Sequence, residues 1–322
     1  MKRIVILFVV VVVLILGWTA AWFYGANLVR QNIIALAGAD GQATPRLTCG
    51  RLDVGGWPFW FDVTCEKPDI VSGDLTFAAA EIKATAEAFD PFQIVAQATG
   101  PLTIEDAFTG SKERLDWTGL KASARLTGWR IGRISVVADG LALASTTGGD
   151  QPIAKAAHAE AHLLDMPERY DAAKHLATLH GFARLDHLQA PGFQLSDMNS
   201  TLDATIDSLP DDVRTMGDPD LLAHWQAAGG KLVLNGLKGN EGDDTFNVTG
   251  HLALDSSAHP MGQLTVNSKG LVDRLGGLVP EQLRTLILGQ PAADGSYSQT
   301  LNFTNGMVFA GLIPIGAVPA LY

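Results

Sequence analysis

Residues 231–268 read KLVLNGLKGNEGDDTFNVTGHLALDSSAHPMGQLTVNS, and this stretch decides the fold class. In Thr245–Asp255, Phe246, Val248, Leu252 and Leu254 fall on one side, and Asn247, Thr249, His251 and Asp255 on the other. Such alternation marks a half-buried β-strand, because successive side chains point to opposite faces. Lys231–Leu237 adds Leu232 and Leu234, and Gly262–Ser268 adds Leu264 and Val266. Three consecutive strands with one apolar side predict an antiparallel meander. Their apolar face needs a partner: a second sheet, a helix or a bound apolar molecule. Covered, the eight residues are a packed core; open, they are a lipid groove. Packed positions outnumber ligand positions on any sheet, so the ordinary expectation is that a carboxylate at Val248 unfolds the protein.

The same rhythm continues outward. Leu271–Leu288 is predicted as an amphipathic helix, broken at Gly276–Gly277, that covers part of the face. Ser296–Phe303 and Met307–Leu312 read as strands joined by Asn305–Gly306, a strong hairpin signal. Pro314 and Pro319 predict an extended tail. Upstream, Asp218–Ala228 predicts a short helix capped by Asp218, with Pro219 at its first position and Gly229–Gly230 as its stop. Gly119–Leu126 alternates Leu120, Ala122, Ala124 and Leu126 against Lys121, Ser123 and Arg125. Trp129–Ala138 and Leu141–Ser145 predict two strands with Asp139–Gly140 as a turn. Ile153–Leu164 alternates too, although its alanines also suit a helix, and Tyr170–His187 fits neither period better than the other. The expected class is mainly β (β-rich α+β): antiparallel meander sheets with a few short helices.

The two cysteines, Cys49 and Cys65, lie in LTCGRLDVGGWPFWFDVTCEKP. Leu47–Val54 and Phe59–Thr64 read as strands, and Gly55–Gly56–Trp57–Pro58 as the turn. Folding the segment about Trp57 sets Cys49 against Cys65 and predicts a disulfide, which an oxidising compartment permits. Trp57, Pro58, Phe59, Trp60 and Phe61 make the densest aromatic cluster of the chain. Its ordinary reading is a core plug at one end of a sheet; the sharper one is a lip facing membrane or ligand.

At the N-terminus, Ile4–Tyr24 runs about 21 residues without a charge, long enough to cross a bilayer as one helix. Trp18, Trp22, Phe23 and Tyr24 gather at its far end, where aromatic rings favour the headgroup level, and Lys2 and Arg3 precede it. A cleaved signal would have a shorter apolar run and small residues at the cleavage point. The expected organisation is a cytoplasmic stub at 1–3, a transmembrane anchor at 4–24, a helical stalk at 25–46 and a periplasmic β-rich domain at 47–322. A division into two β halves is expected near 190–218, at Ala190–Gly192 or Ser208–Asp218.

Of the 322 residues 47% are hydrophobic and 18% charged, and the net charge is −11. A sizeable core can form, but nucleic acid, which needs a basic surface, is excluded as a partner. Beyond Lys2 and Arg3 there is no polybasic patch for anionic lipid.

The segment VGGWPFWFDVTCEKP (Val54–Pro68), following an N-terminal anchor, resembles the Gly-aromatic-Pro-Phe motif of the DUF2125 family, bacterial proteins without a known function. Ala227–Leu278 and the closing NGMVFAGLIPIGAVPALY (Asn305–Tyr322) also resemble that family. More loosely, the strand-then-helix rhythm after Gly262 is similar to AsmA-like envelope proteins. That likeness implies an inner-membrane anchor, periplasmic β-structure and, by analogy with larger relatives, an apolar groove for phospholipid. This chain is too short to bridge a periplasm alone.

No nucleophile elbow, P-loop, zinc-protease motif or dinucleotide fingerprint occurs. His158, Glu160 and His162 would share a strand face able to hold a metal, but a solvated polar face is the commoner meaning of such spacing. Catalytic residues, metal ligands and cofactors are therefore not expected. The function expected is that of a non-enzymatic, membrane-anchored protein of the cell envelope, with membrane lipids as partners. A scaffold for other envelope proteins is the alternative, and an unrecognised hydrolase the remotest.

Overall fold

The structure is a computed structural model that describes residues 2–42, 44–270 and 289–322. The helix expected at Leu271–Leu288 lies outside the described residues. The chain divides into two compact units, one of residues 1–125 and 143–151, the other of 126–142 and 152–322. Residues 190–218, where the division was expected, lie inside the second unit.

The first unit begins with α1 (Lys2–Leu36), one unbroken helix long and apolar enough to cross a membrane. The predicted anchor and much of the stalk are thus a single rod. A hairpin follows, β1 (Arg46–Gly55) and β2 (Trp60–Ser72), paired antiparallel. Strand β2 is long enough to serve two neighbours. One part pairs with β4 (Glu81–Glu87), which leads through β5 (Asp90–Thr99) to β8 (Gly119–Thr127). The other part pairs with β3 (Leu75–Ala78), which leads through β6 (Leu102–Asp106) to β7 (Lys112–Asp116). In β8 the expected alternation holds: Ala122, Ala124 and Leu126 are half-buried, and Lys121, Ser123 and Arg125 are exposed.

The second unit contains most of β9 (Arg130–Ser145) and of β10 (Gln151–Asp165). Asp139–Gly140 does not reverse the chain: β9 runs straight through it, with Gly140 at φ 61° as a kink. The Asp139 carboxylate is occupied across the sheet by His158 Nδ1, 2.7 Å away, rather than in a turn. From β10 onward the strands pair antiparallel in chain order: β11 (Leu176–Ala190), β12 (Leu195–Pro210), β13 (Leu232–Glu241), β14 (Asp244–Leu254), β15 (Pro260–Lys269), β16 (Tyr297–Thr304), β17 (Met307–Ala310) and β18 (Ile313–Ala317). Asn305 and Gly306, both at positive φ, make the predicted two-residue turn. The tail is not merely extended, since Ile313–Ala317 adds a strand at the edge.

The ambiguous Tyr170–His187 resolves into a turn and then strand β11. Asp171 Oδ1 accepts the N–H groups of Ala173 and Lys174, and His175 sits at φ 56°. These local bonds offer the backbone an alternative to helix. Pairing on both sides by β10 and β12 then holds β11 extended.

Between β12 and β13 lies α2 (Leu221–Ala227). It starts two residues later than a Pro219 start would place it. Asp218 is spent on a turn, its Oδ1 accepting from Asp220 N at 2.9 Å, and Asp220 is the N-cap position. Helix α2 carries Trp225 into the core of this unit, against Ile131, Leu179 and Leu209, with Leu163, Ile206, Leu232 and Leu254 packed around them. Gly230 lets the chain leave: a Cβ there would come within 2.1 Å of Trp225 Nε1.

Candidate functional site

The hairpin of the first unit is closed by the Cys49–Cys65 disulfide, at a Cα–Cα separation of 5.3 Å. The two are not facing partners. The register sets Cys49 opposite Pro68 and Leu52 opposite Cys65. Gly50 and Lys67 drop out of the ladder between those pairs, and Lys67 takes φ 48°. Left-handed backbone in a strand bends it, and this kink brings the cysteines together.

At the hairpin tip the aromatic cluster is not a core plug: Trp57, Phe59 and Trp60 are 52, 54 and 44% exposed. The tip lies along α1. Trp18 Nε1 donates to Pro58 O at 2.9 Å, and Trp22 Nε1 donates to Trp60 O at 2.8 Å. Phe61 stacks on Trp22 with centroids 5.7 Å apart and covers Gly25, where a Cβ would meet its ring at 3.0 Å. Farther along the helix Arg30 reaches Asp53 at 4.0 Å. The hairpin therefore runs alongside the helix with its tip toward the apolar N-terminal part.

The second unit carries the apolar face, and the ladder register brings its predicted residues together. Val248 pairs with Val266, Leu252 with Leu232, and Gly250 with both Leu234 and Leu264. Phe246 lies over Gly239, where a Cβ would come within 2.2 Å of the ring, and Leu254 pairs with Pro260. All eight (Leu232, Leu234, Phe246, Val248, Leu252, Leu254, Leu264 and Val266) are half-buried; none is sealed from solvent and none is fully exposed. Two glycines lower the relief of the face. Gly250 (φ 147°) and Gly262 (φ 141°) sit where the β14 and β15 backbones cross so closely that a Cβ would lie 2.1 Å from Gln263 O or 2.3 Å from His251 O. Simple alternation missed Leu237. The ladder shifts between Leu234 and Leu237, and this bulge turns Leu237 onto the face, opposite Val248 and Leu202. Leu301 and Phe303 extend the same rows onto β16.

The opposite face is polar. Arg184, Thr201, Lys238, Asn247 and Asn267 form one row across five strands, and Asn199, Asn240, Thr245 and Lys269 form the next. With His158 and Asp186 they line a concavity of about 860 Å³. Its charges are largely matched: Arg184 binds Asp186 at 2.7 Å, and His187 binds Asp197 at 2.7 Å. His158 is held above the usual histidine range, chiefly by its hydrogen bond to Asp139. Elsewhere on the sheet, hydrogen bonds from Asn235 and then His180 hold the Asp203 carboxyl below its ordinary range. Nothing in the sequence singled out this concavity, because its residues are short runs scattered over six strands, Phe246 among them.

His158, Glu160 and His162 do share a face, but each finds a protein partner. His158 takes Asp139, and His162 sits 2.9 Å from Ser135 Oγ and 3.3 Å from Glu160 Oε2. Among the described residues no three His, Cys, Asp or Glu groups are placed to hold a metal ion.

The family described as "Uncharacterized protein conserved in bacteria (DUF2125)" matches residues 22–319. No curated protein and no solved structure matches the chain. The match spans the aromatic hairpin, the helix-capped core and the apolar face, and the chain belongs to the DUF2125 family.

Proposed function

We propose that the chain is a non-enzymatic, membrane-anchored envelope protein that holds lipid acyl chains on the apolar face of its second unit. The observation that carries this reading is the burial pattern of that face. Rows of Leu, Val and Phe run across β13–β16, yet each of the eight face residues keeps part of its surface in contact with solvent. The most deeply buried cluster, around Trp225, takes in only Leu232 and Leu254 at one end of the face, and the rows between them and β17 keep that partial exposure. An acyl chain lying over such a face gains about 0.8 kcal/mol for each buried CH₂. About five methylenes then contribute roughly 4 kcal/mol before the entropic cost of binding.

The anchor and the disulfide support a periplasmic location. Lys2 and Arg3 precede the apolar run, which favours a cytoplasmic N-terminus. The bonded Cys49–Cys65 pair suits an oxidising compartment on the far side. A reporter active only in the periplasm, fused after Tyr322, is expected to be active. Activity confined to a cytoplasmic reporter at the same position overturns the location.

Lipid binding is tested by extracting the purified full chain and identifying co-purifying lipid by mass spectrometry. Lipid is expected at a defined stoichiometry. Val248→Asp is expected to fold, because a half-buried carboxylate on an open face keeps access to water, and to lose most of that lipid. A folded Val248→Asp protein with unchanged lipid, or a wild type that carries none, overturns the reading. An unfolded Val248→Asp protein means a closed core and also overturns it.

A further inference from the structure

The geometry points to the hairpin tip Trp57–Trp60 as a second membrane contact, inserted beside the anchor helix into the bilayer leaflet on the domain's side. The inference rests on the anchor reading above. The tip is bonded to the anchor at defined depths. Trp22, which holds Trp60, lies two residues before Tyr24, the end of the apolar run. Trp18, which holds Pro58, lies six residues before it, about 9 Å further along a helix. If Tyr24 marks the headgroup level, the tip therefore reaches below it into the acyl boundary.

Three further features fit that environment. The tip's outward surface is aromatic: Trp57, Phe59 and Trp60 join Trp18, Phe23 and Tyr24, which are 40, 60 and 68% exposed. Trp and Tyr rings favour this level of a bilayer. Phe89, at the neighbouring β4–β5 turn, is 67% exposed, and that turn is tied to the tip through Ala88 N, which donates to Phe59 O at 2.8 Å.

Much of the tip's backbone is also paired within the protein, which lowers the cost of leaving water for a medium where unpaired polar groups cost several kcal/mol. Pro58 has no N–H. The carbonyls of Pro58, Phe59 and Trp60 accept from Trp18, Ala88 and Trp22, and Trp60 N donates to Gly56 O. Finally, the flanking charges are acidic. Glu87 pairs opposite Trp60, and Asp62 and Asp90 lie close by in the ladder. Attraction to anionic headgroups is therefore not the driving force; aromatic burial is, and the carboxylates limit the depth.

The test uses the full chain reconstituted in phosphatidylcholine vesicles. Single cysteines are introduced as Phe59→Cys, Leu14→Cys and Phe108→Cys, with the native disulfide left closed, and labelled with an environment-sensitive fluorophore. Phe108, at the β6–β7 turn, is 85% exposed and belongs to the same unit, so it serves as the off-tip comparison position. Lipids carrying a nitroxide high on the acyl chain supply the quencher. Quenching at Phe59→Cys is expected to exceed that at Phe108→Cys several-fold and to persist in high salt. Trp57→Cys should behave like Phe59→Cys, which guards against a local effect of one label. If Leu14→Cys is quenched by deep nitroxides while both tip positions match Phe108→Cys, the anchor stands and the lip inference falls. If Leu14→Cys is not quenched either, the anchor reading fails and takes the lip with it.

Discussion

Trp225→Ala is expected to lower the stability of the second unit by about 3–5 kcal/mol, the cost of removing a large buried aromatic. The ring fills the space between Ile131, Leu179 and Leu209, a contact that no neighbouring side chain can restore. Its Nε1 also donates to Asp207 O at 2.7 Å, so truncation leaves a carbonyl that water reaches poorly. Such a loss is a large share of the stability of an ordinary domain. Denaturant unfolding of the full chain in detergent should show a lower midpoint with little change in slope. Trp225→Phe keeps most of the apolar volume and loses the hydrogen bond, so about 1–2 kcal/mol is expected. A loss below about 1 kcal/mol for Trp225→Ala would show that this end of the sheet is not the packed core.

Most of the architecture was legible because strand periodicity is local. The alternation in Gly119–Leu126, the eight residues of the apolar face and the Asn305–Gly306 turn needed no information from distant residues. Where reading went astray, a long-range partner had overridden a local signal. Asp139–Gly140 has turn chemistry, yet β9 continues through it as one kinked strand and Asp139 goes to His158. In Ile153–Leu164 the alternation held although its alanines tolerate helix, because β11 supplies the ladder bonds. Leu237 was lost because a bulge resets the parity, and a bulge between two leucines leaves no mark in composition.

The aromatic lip was legible as a cluster but not as a surface. Its place along α1 is held by hydrogen bonds between residues some 40 positions apart, Trp18 with Pro58 and Trp22 with Trp60. No periodicity links them; only their shared aromatic composition hinted that helix and hairpin lie together. The polar concavity of the second unit was hidden more deeply, since each strand contributes two or three unremarkable residues to it.

Opening the disulfide is the second large effect. Cys49→Ser is expected to cost the first unit about 3 kcal/mol, the value of closing a loop of this size in the unfolded chain, the cysteines being 16 residues apart. The pairing itself was readable, but its geometry was not. Symmetry about Trp57 suggested facing cysteines, whereas the ladder centres between Pro58 and Phe59 and offsets them by three positions. Four residues, Gly56 to Phe59, separate the strands, and the turn is closed by Trp60 N on Gly56 O rather than by a tight two-residue reversal. The bridge then depends on the kink at Lys67 to bring the sulfurs together. Thiol alkylation should leave the unreduced protein unlabelled and mark both cysteines after reduction. Labelling of the folded, unreduced protein would refute the bridge. The double variant Cys49→Ser, Cys65→Ser should lose no more than Cys49→Ser alone, because both remove one covalent bond. A markedly larger loss in the double variant would mean that Cys65, which is buried beside Ile82 in the β2–β4 ladder, stabilises the sheet through packing in addition to the bond.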